Sequence, residues 1–255
     1  MSNRGVTRRE FGVVAAGALG SFALGGACHL KLPAGSIDEG RLKARPVAGA
    51  RTTAHGTTTL GLEPSRDAIL QMPSKVPAGP VPLMVLLHGA GGAGERILRR
   101  LGGAAETAGV AILAPDSRGQ TWDAIRGSFD DDVAYLDRAL QKVFQIVAVD
   151  PARLAIGGFS DGATYALSLG LINGDLFPRV VAFSPGFIVD GTTNGRPRLF
   201  ISHGTADPIL PIGRCSRPIV QLLRSRGYDV TFREFNGEHE VPEAIATEGM
   251  GWVAK

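Results

Sequence analysis

Several things are scarce in this chain, and each scarcity removes a class of function. Cysteine occurs twice in 255 residues, at Cys28 and Cys215. Two cysteines with one near a terminus do not make a disulfide framework, and Cys215 reads as a free thiol. Aromatics make up 6% of the residues, and no basic stripe is interleaved with them, so nothing points to a nucleic-acid surface. An excess of one charge is also missing. Residues 1–27 hold Arg4, Arg8, Arg9 and Glu10, so without them 27 basic and 24 acidic residues become 24 and 23. The apparent pI near 9 therefore says little about partners. The apolar stretch over residues 11–27 is too short and too rich in glycine for a spanning helix. No internal repeat and no second domain is visible.

What is present begins with an address. Thr7-Arg8-Arg9-Glu10-Phe11 is a twin-arginine pattern, and the apolar stretch behind it suits the core of an export signal. The expectation is a signal over 1–27 and a protein exported to the periplasm or beyond. Ala27 before Cys28 fits a lipoprotein signal, whereas Gly25 stands where such signals carry an aliphatic residue. Cys28 is thus a candidate lipid anchor or a plain thiol left after cleavage. Residues 28–50 are rich in Gly, Ala, Pro and basic side chains without periodicity, and read as a tether. A single domain is expected over 51–255.

From there the pattern alternates strand, turn and helix. Residues 66–72 read as an early antiparallel strand stopped by Pro73. Apolar runs at 82–87, 110–114, 154–157, 180–183, 199–202 and 230–235 read as strands buried on both faces. Residues 132–144 have apolar side chains at helical spacing, with Asp130 to Asp132 read as a solvated helix start. Alternating elements of this kind imply a mostly parallel sheet with helices on both faces. Ligands of such sheets bind at the carboxyl ends of the strands.

The residues after each strand are therefore the informative ones. After Leu87 comes His88-Gly89-Ala90-Gly91-Gly92-Ala93-Gly94, a loop bare enough to present its amides to a ligand. It lacks the Gly-Lys-Ser/Thr of a phosphate loop, and it fits an oxyanion hole better, with His88 holding the loop. After the run at 154–157 comes Gly158-Phe159-Ser160-Asp161-Gly162. With 35 glycines in the chain, that pentapeptide alone decides little. Its setting decides more: a strand feeding directly into a helix would display Ser160 on a strained turn, with the Asp161 N–H at the helix start. After 199–202 comes His203-Gly204-Thr205-Ala206-Asp207-Pro208, where Asp207 can orient an imidazole and His203, abutting the strand, reads as structural. Beyond it stands one histidine, His239. Ser160, Asp207 and His239 thus follow three different strands in the chain order of a nucleophile, its acid and its base.

These residues resemble the α/β-hydrolase superfamily, in particular its phospholipase/carboxylesterase and polyhydroxyalkanoate-depolymerase-like esterase branch. The resemblance spans roughly residues 60 to 245. It implies an α/β-hydrolase fold, a Ser160–His239–Asp207 triad, and an oxyanion hole formed by the Ala90 and Asp161 N–H groups. No insertion is long enough for a large lid domain. The implied activity is hydrolysis of a carboxylic ester, small or derived from a polymer, through an acyl-enzyme, with neither metal nor organic cofactor. A peptidase on the same fold and a catalytically inactive surface binding module are the competing readings. Trp122, Phe129, Phe187 and Ile209, on loops that follow strands, are candidates to line the acyl or alcohol pocket.

Overall fold

The aliphatic and β-branched runs become eight strands in a computed structural model that describes residues 40–255. They are β1 (Thr57–Thr59), β2 (Ala68–Gln71), β3 (Val81–Leu87), β4 (Ala111–Pro115), β5 (Val149–Phe159), β6 (Arg179–Phe183), β7 (Arg198–Gly204) and β8 (Val230–Phe235). The helices are α1 (Gly94–Ala108), α2 (Asp131–Ile146), α3 (Asp161–Ile172), α4 (Ser216–Ser225) and α5 (Glu243–Ala254). The export signal expected over 1–27 and the candidate anchor Cys28 lie outside the described residues.

One sheet takes all the strands in the order β1-β2-β4-β3-β5-β6-β7-β8. β2 runs antiparallel to β1 and β4, and every later pairing is parallel. The central strands are apolar without alternation because both faces are covered. One face packs against residues of α2, α3 and α4, such as Leu136, Leu167 and Ile219. The other packs against Leu98 and Leu101 of α1 and Met250 and Val253 of α5. The winding reverses at β3, which has β4 on one side and β5 on the other. Chains leaving β3 and β5 therefore diverge to opposite faces, which opens a crevice at the carboxyl edge of the sheet.

Two expectations are corrected here. Within the tether read over 28–50, residues 40–46 form a packed strap and 47–49 are exposed. Leu42 and Ala44 are buried. The Leu42 N–H donates to Asn173 Oδ1 at 2.9 Å, and the Lys43 and Ala44 N–H groups both donate to Asp137 Oδ1. Two apolar side chains two residues apart carry too little periodicity to be read as core. The Asp130–Asp132 start of α2 is not uniformly solvated either. Asp132 is buried and accepts the Arg118 and Asp123 N–H groups at 2.6 and 2.7 Å. Burial pushes its carboxyl up to about 6 despite those two donors,.

Candidate active site

Strand β5 meets helix α3 at Ser160, whose φ of 59° and ψ of −122° lie where a residue with a Cβ is strained,. Tertiary contacts hold that conformation. The Ser160 N–H donates to Phe183 O at 3.0 Å, and Ser160 O receives the Thr164 N–H at 3.0 Å. Tightness around the turn explains both flanking glycines. A Cβ at Gly162 would fall on the carbonyl oxygens of Leu87 and His88, and one at Gly158 would stand 2.5 Å from the Gly162 carbonyl carbon. Strand, helix start and the loop after β3 thus share one spot that only bare backbone can occupy. Gly89 lies directly beside the serine, its Cβ position 3.2 Å from Ser160 Cβ.

Asp207 sits in the loop after β7. Its Oδ1 accepts the Ile209 and Leu210 N–H groups at 2.9 and 2.8 Å, an Asx-type turn that fixes the carboxylate. The loop after β8 is seated flush on the end of β7: Thr205 N–H donates to Phe235 O and Ala206 N–H to Gly237 O. That seating brings His239 over the serine. Its Nδ1–H donates to Asp207 Oδ2 at 2.6 Å, and its Nε2 lies 2.8 Å from Ser160 Oγ. With Nδ1 committed to the carboxylate, Nε2 is left as the acceptor of the serine proton. The imidazole rests on the Phe159 ring, centroids 4.8 Å apart.

Two further histidines brace the site from behind. His203 is fully buried. Its Nε2 meets Leu210 O at 2.6 Å and Asp207 Oδ2 at 3.1 Å, and its Nδ1 meets Ser216 Oγ at 2.6 Å. A carbonyl only accepts, so Nε2 carries the hydrogen and Nδ1 receives the Ser216 hydroxyl. Burial holds the ring below its ordinary pKa, hence neutral,. His88 is likewise buried and shifted down by burial. It accepts the Ser117 N–H at Nε2 and donates from Nδ1 to Gly89 O. Both histidines hold loops, as read from the sequence.

The loop after β3 presents its amides selectively. Gly91 N–H donates to Gln120 O and Gly92 N–H to Gly89 O. Asp161 opens α3, where first-turn N–H groups have no partner within the helix. Its side chain is pinned by the Thr121 hydroxyl, which donates to Oδ2 at 2.6 Å. Ala90 and Asp161 thus lie on the two loops that converge at Ser160.

The four pocket candidates divide. Trp122 is fully buried and donates from Nε1 to His88 O at 2.8 Å. It stacks on Tyr165, and Phe129 also packs against that tyrosine. Trp122 and Phe129 are therefore packed into the core beneath the loops, the indole N–H on a buried carbonyl and its ring on an aromatic neighbour, with Trp122 also bordering a cleft along residues 118–123,. Phe187 is half-buried and Ile209 is exposed on the Asp207 loop. Sequence reasoning missed Thr121 and Phe159. Phe159 is the variable residue before the serine, and nothing in a pentapeptide says that its ring would support the imidazole.

A cleft of about 210 Å³ is lined by Gly89, Ala90, Phe159, Arg96 and Arg100 among others. A second, of about 330 Å³, lies along residues 118–123 and the start of α2. Among the described residues no group of three or more His, Cys, Asp or Glu side chains is placed to hold a metal ion.

A model of the phospholipase/carboxylesterase family matches residues 120–248. A putative esterase of Nocardia uniformis, NocK, is 31% identical over 183 residues, covering 67% of this chain and 53% of that protein. Feruloyl esterase C of Emericella nidulans is 30% identical over 182 residues, covering 66% of each. The chain thus spans between about half and two thirds of these curated relatives. Among solved structures, the fluorophosphonate-binding serine hydrolase F of Staphylococcus aureus superposes with a TM-score of 0.61 at 17% identity, covering 79% of this chain and 98% of its own.

Proposed function

The chain belongs to the phospholipase/carboxylesterase family of α/β-hydrolases, and on that premise we propose that it hydrolyses carboxylic esters with Ser160 as nucleophile. The observation that carries this reading is the continuous hydrogen-bonded line from Ser160 Oγ through His239 to Asp207. In the proposed cycle Oγ attacks the ester carbonyl while His239 Nε2 takes its proton, and Asp207 steadies the imidazolium. The oxygen that gains charge is met by the Ala90 and Asp161 N–H groups, each worth on the order of 10² to 10³ in rate. His239 next protonates the leaving alcohol. Water, deprotonated by the same nitrogen, then releases the acid from the acyl-enzyme.

Ser160→Ala is expected to lower kcat on p-nitrophenyl acetate by about 10⁶ while leaving the melting transition in place. A neutral fluorophosphonate should label the wild type at Ser160 and leave the variant unlabelled. A variant that kept a tenth of wild-type activity would overturn the assignment. Because one relative is named a feruloyl esterase, methyl ferulate belongs beside p-nitrophenyl esters of rising chain length in the first substrate panel. The twin-arginine pattern supports export, with Cys28 either lipid-modified or bare.

A further inference from the structure

The smaller cleft has a charge of its own. Two side chains of α1, Arg96 and Arg100, form one wall, and Gly89, Ala90 and Phe159 form the wall nearest the nucleophile. The Arg100 guanidinium stands 4.6 Å from the Phe159 ring centroid. Arg96 reaches Gly91 O at a long 3.4 Å. Two carboxylates on or against α1 are engaged elsewhere: Glu95 of the helix pairs with Arg99 at 2.5 Å, and Asp116, just after β4, accepts the Gly94 N–H at 2.6 Å. Among the described residues neither Arg96 nor Arg100 has a carboxylate partner. Two guanidinium groups thus face a concave site without a counter-ion, at the edge of a reaction centre.

Which half of an ester would meet them follows from the chemistry proposed above, on which this inference rests. His239 must hand its proton to the departing alkoxide, so the alcohol half lies against the imidazole. That imidazole rests on Phe159, and Arg100 covers the same ring. Arg100 and the imidazole thus share one aromatic neighbour, and the alcohol half is the part of the ester nearer to that ring. We propose that Arg96 and Arg100 select esters whose alcohol half carries an oxyanion group, a carboxylate or a phosphate, since a guanidinium fork matches both geometries.

The test compares three acetate esters with closely similar phenolic leaving groups: 4-acetoxybenzoate, 4-acetoxyphenyl phosphate and the neutral 4-acetoxybenzamide. The readout is the ratio of kcat/KM for each anion to that for the amide, within each protein. The wild type should favour at least one anion about tenfold or more at low ionic strength, and the ratio should shrink as salt is added. Whichever anion is favoured identifies the group recognised. Arg96→Glu/Arg100→Glu should bring the ratio below one, and Arg96→Lys/Arg100→Lys should retain part of the preference. Labelling of Ser160 by a neutral fluorophosphonate checks that each variant has a formed site. A wild-type ratio near one for both anions, or a preference that survives charge reversal, overturns the proposal. Either result leaves ester hydrolysis by Ser160 standing, whereas full activity in Ser160→Ala would remove that parent reading whatever the ratios.

Discussion

At the scale of single residues, His203 is the side chain whose removal separates support from chemistry. It donates to Leu210 O, accepts from Ser216 and lies 3.1 Å from the carboxylate that orients His239. Truncating it empties a fully buried volume and strands two polar partners, a loss of about 2–4 kcal/mol. His203→Ala is therefore expected to lower the melting temperature and to reduce kcat by up to roughly 10²-fold through a displaced Asp207. KM should hardly move, because the residue lies behind the acid and away from bound ester. His203→Gln, which keeps an N–H donor for the Leu210 carbonyl, should recover part of both losses. Thermal melts with steady-state kinetics check this, and a variant with raised KM and unaltered kcat would contradict the positioning role.

Elements meet most tightly where α3 starts. The carbonyls of Leu87 and His88, at the end of β3, occupy the place where residue 162 would carry a side chain. Gly162→Ala must force β3 and α3 apart, or break the turn that displays Ser160. We expect a loss of at least about 2 kcal/mol from overpacking, with activity falling more than stability, because the Asp161 amide and the loop bearing Ala90 both depend on that contact. Urea melts and p-nitrophenyl acetate turnover measure the two effects. Survival of near-normal turnover would mean that the approach can relax. This is also the element whose form was legible beforehand, since Gly-x-Ser-x-Gly between a strand run and a helix run states its own geometry. Strand β1 was not legible: three exposed threonines give no apolar alternation, and only pairing with β2 makes them a strand. β5 runs longer than its apolar core because Val149 pairs with Val81 before the register shifts between Val81 and Leu83. Such cross-strand facts are not written in a local window.

Across the whole molecule, the strap over residues 40–46 is the part that composition misjudged. Its described residues look like linker, yet Leu42 is buried and the Arg41 guanidinium binds Asp175 through two hydrogen bonds of 2.7 and 2.9 Å. Leu42→Ala is expected to cost about 2–4 kcal/mol and to leave kcat/KM on p-nitrophenyl acetate within about twofold of wild type, since Leu42 is held at Asn173, past the end of α3 remote from Ser160. Differential scanning calorimetry beside the standard assay decides it. An unshifted melting transition would return this segment to the tether. The same reasoning explains why the convergence of Ser160, Asp207 and His239 could be read and the burial of Trp122 could not. Chain order and strand ends constrain a triad globally, whereas the fate of Trp122 hung on one carbonyl, His88 O, whose position only the assembled sheet defines.

The strap also sets a direction. Gly40 O accepts a hydrogen bond from Asn173 Nδ2, just past the far end of α3, while Ser160 stands at that helix's beginning. A helix of this length separates the two by about 18 Å along its axis. Beads or electrodes coupled upstream of residue 40 would thus grip the protein by its heel, with its mouth turned outward to whatever flows past.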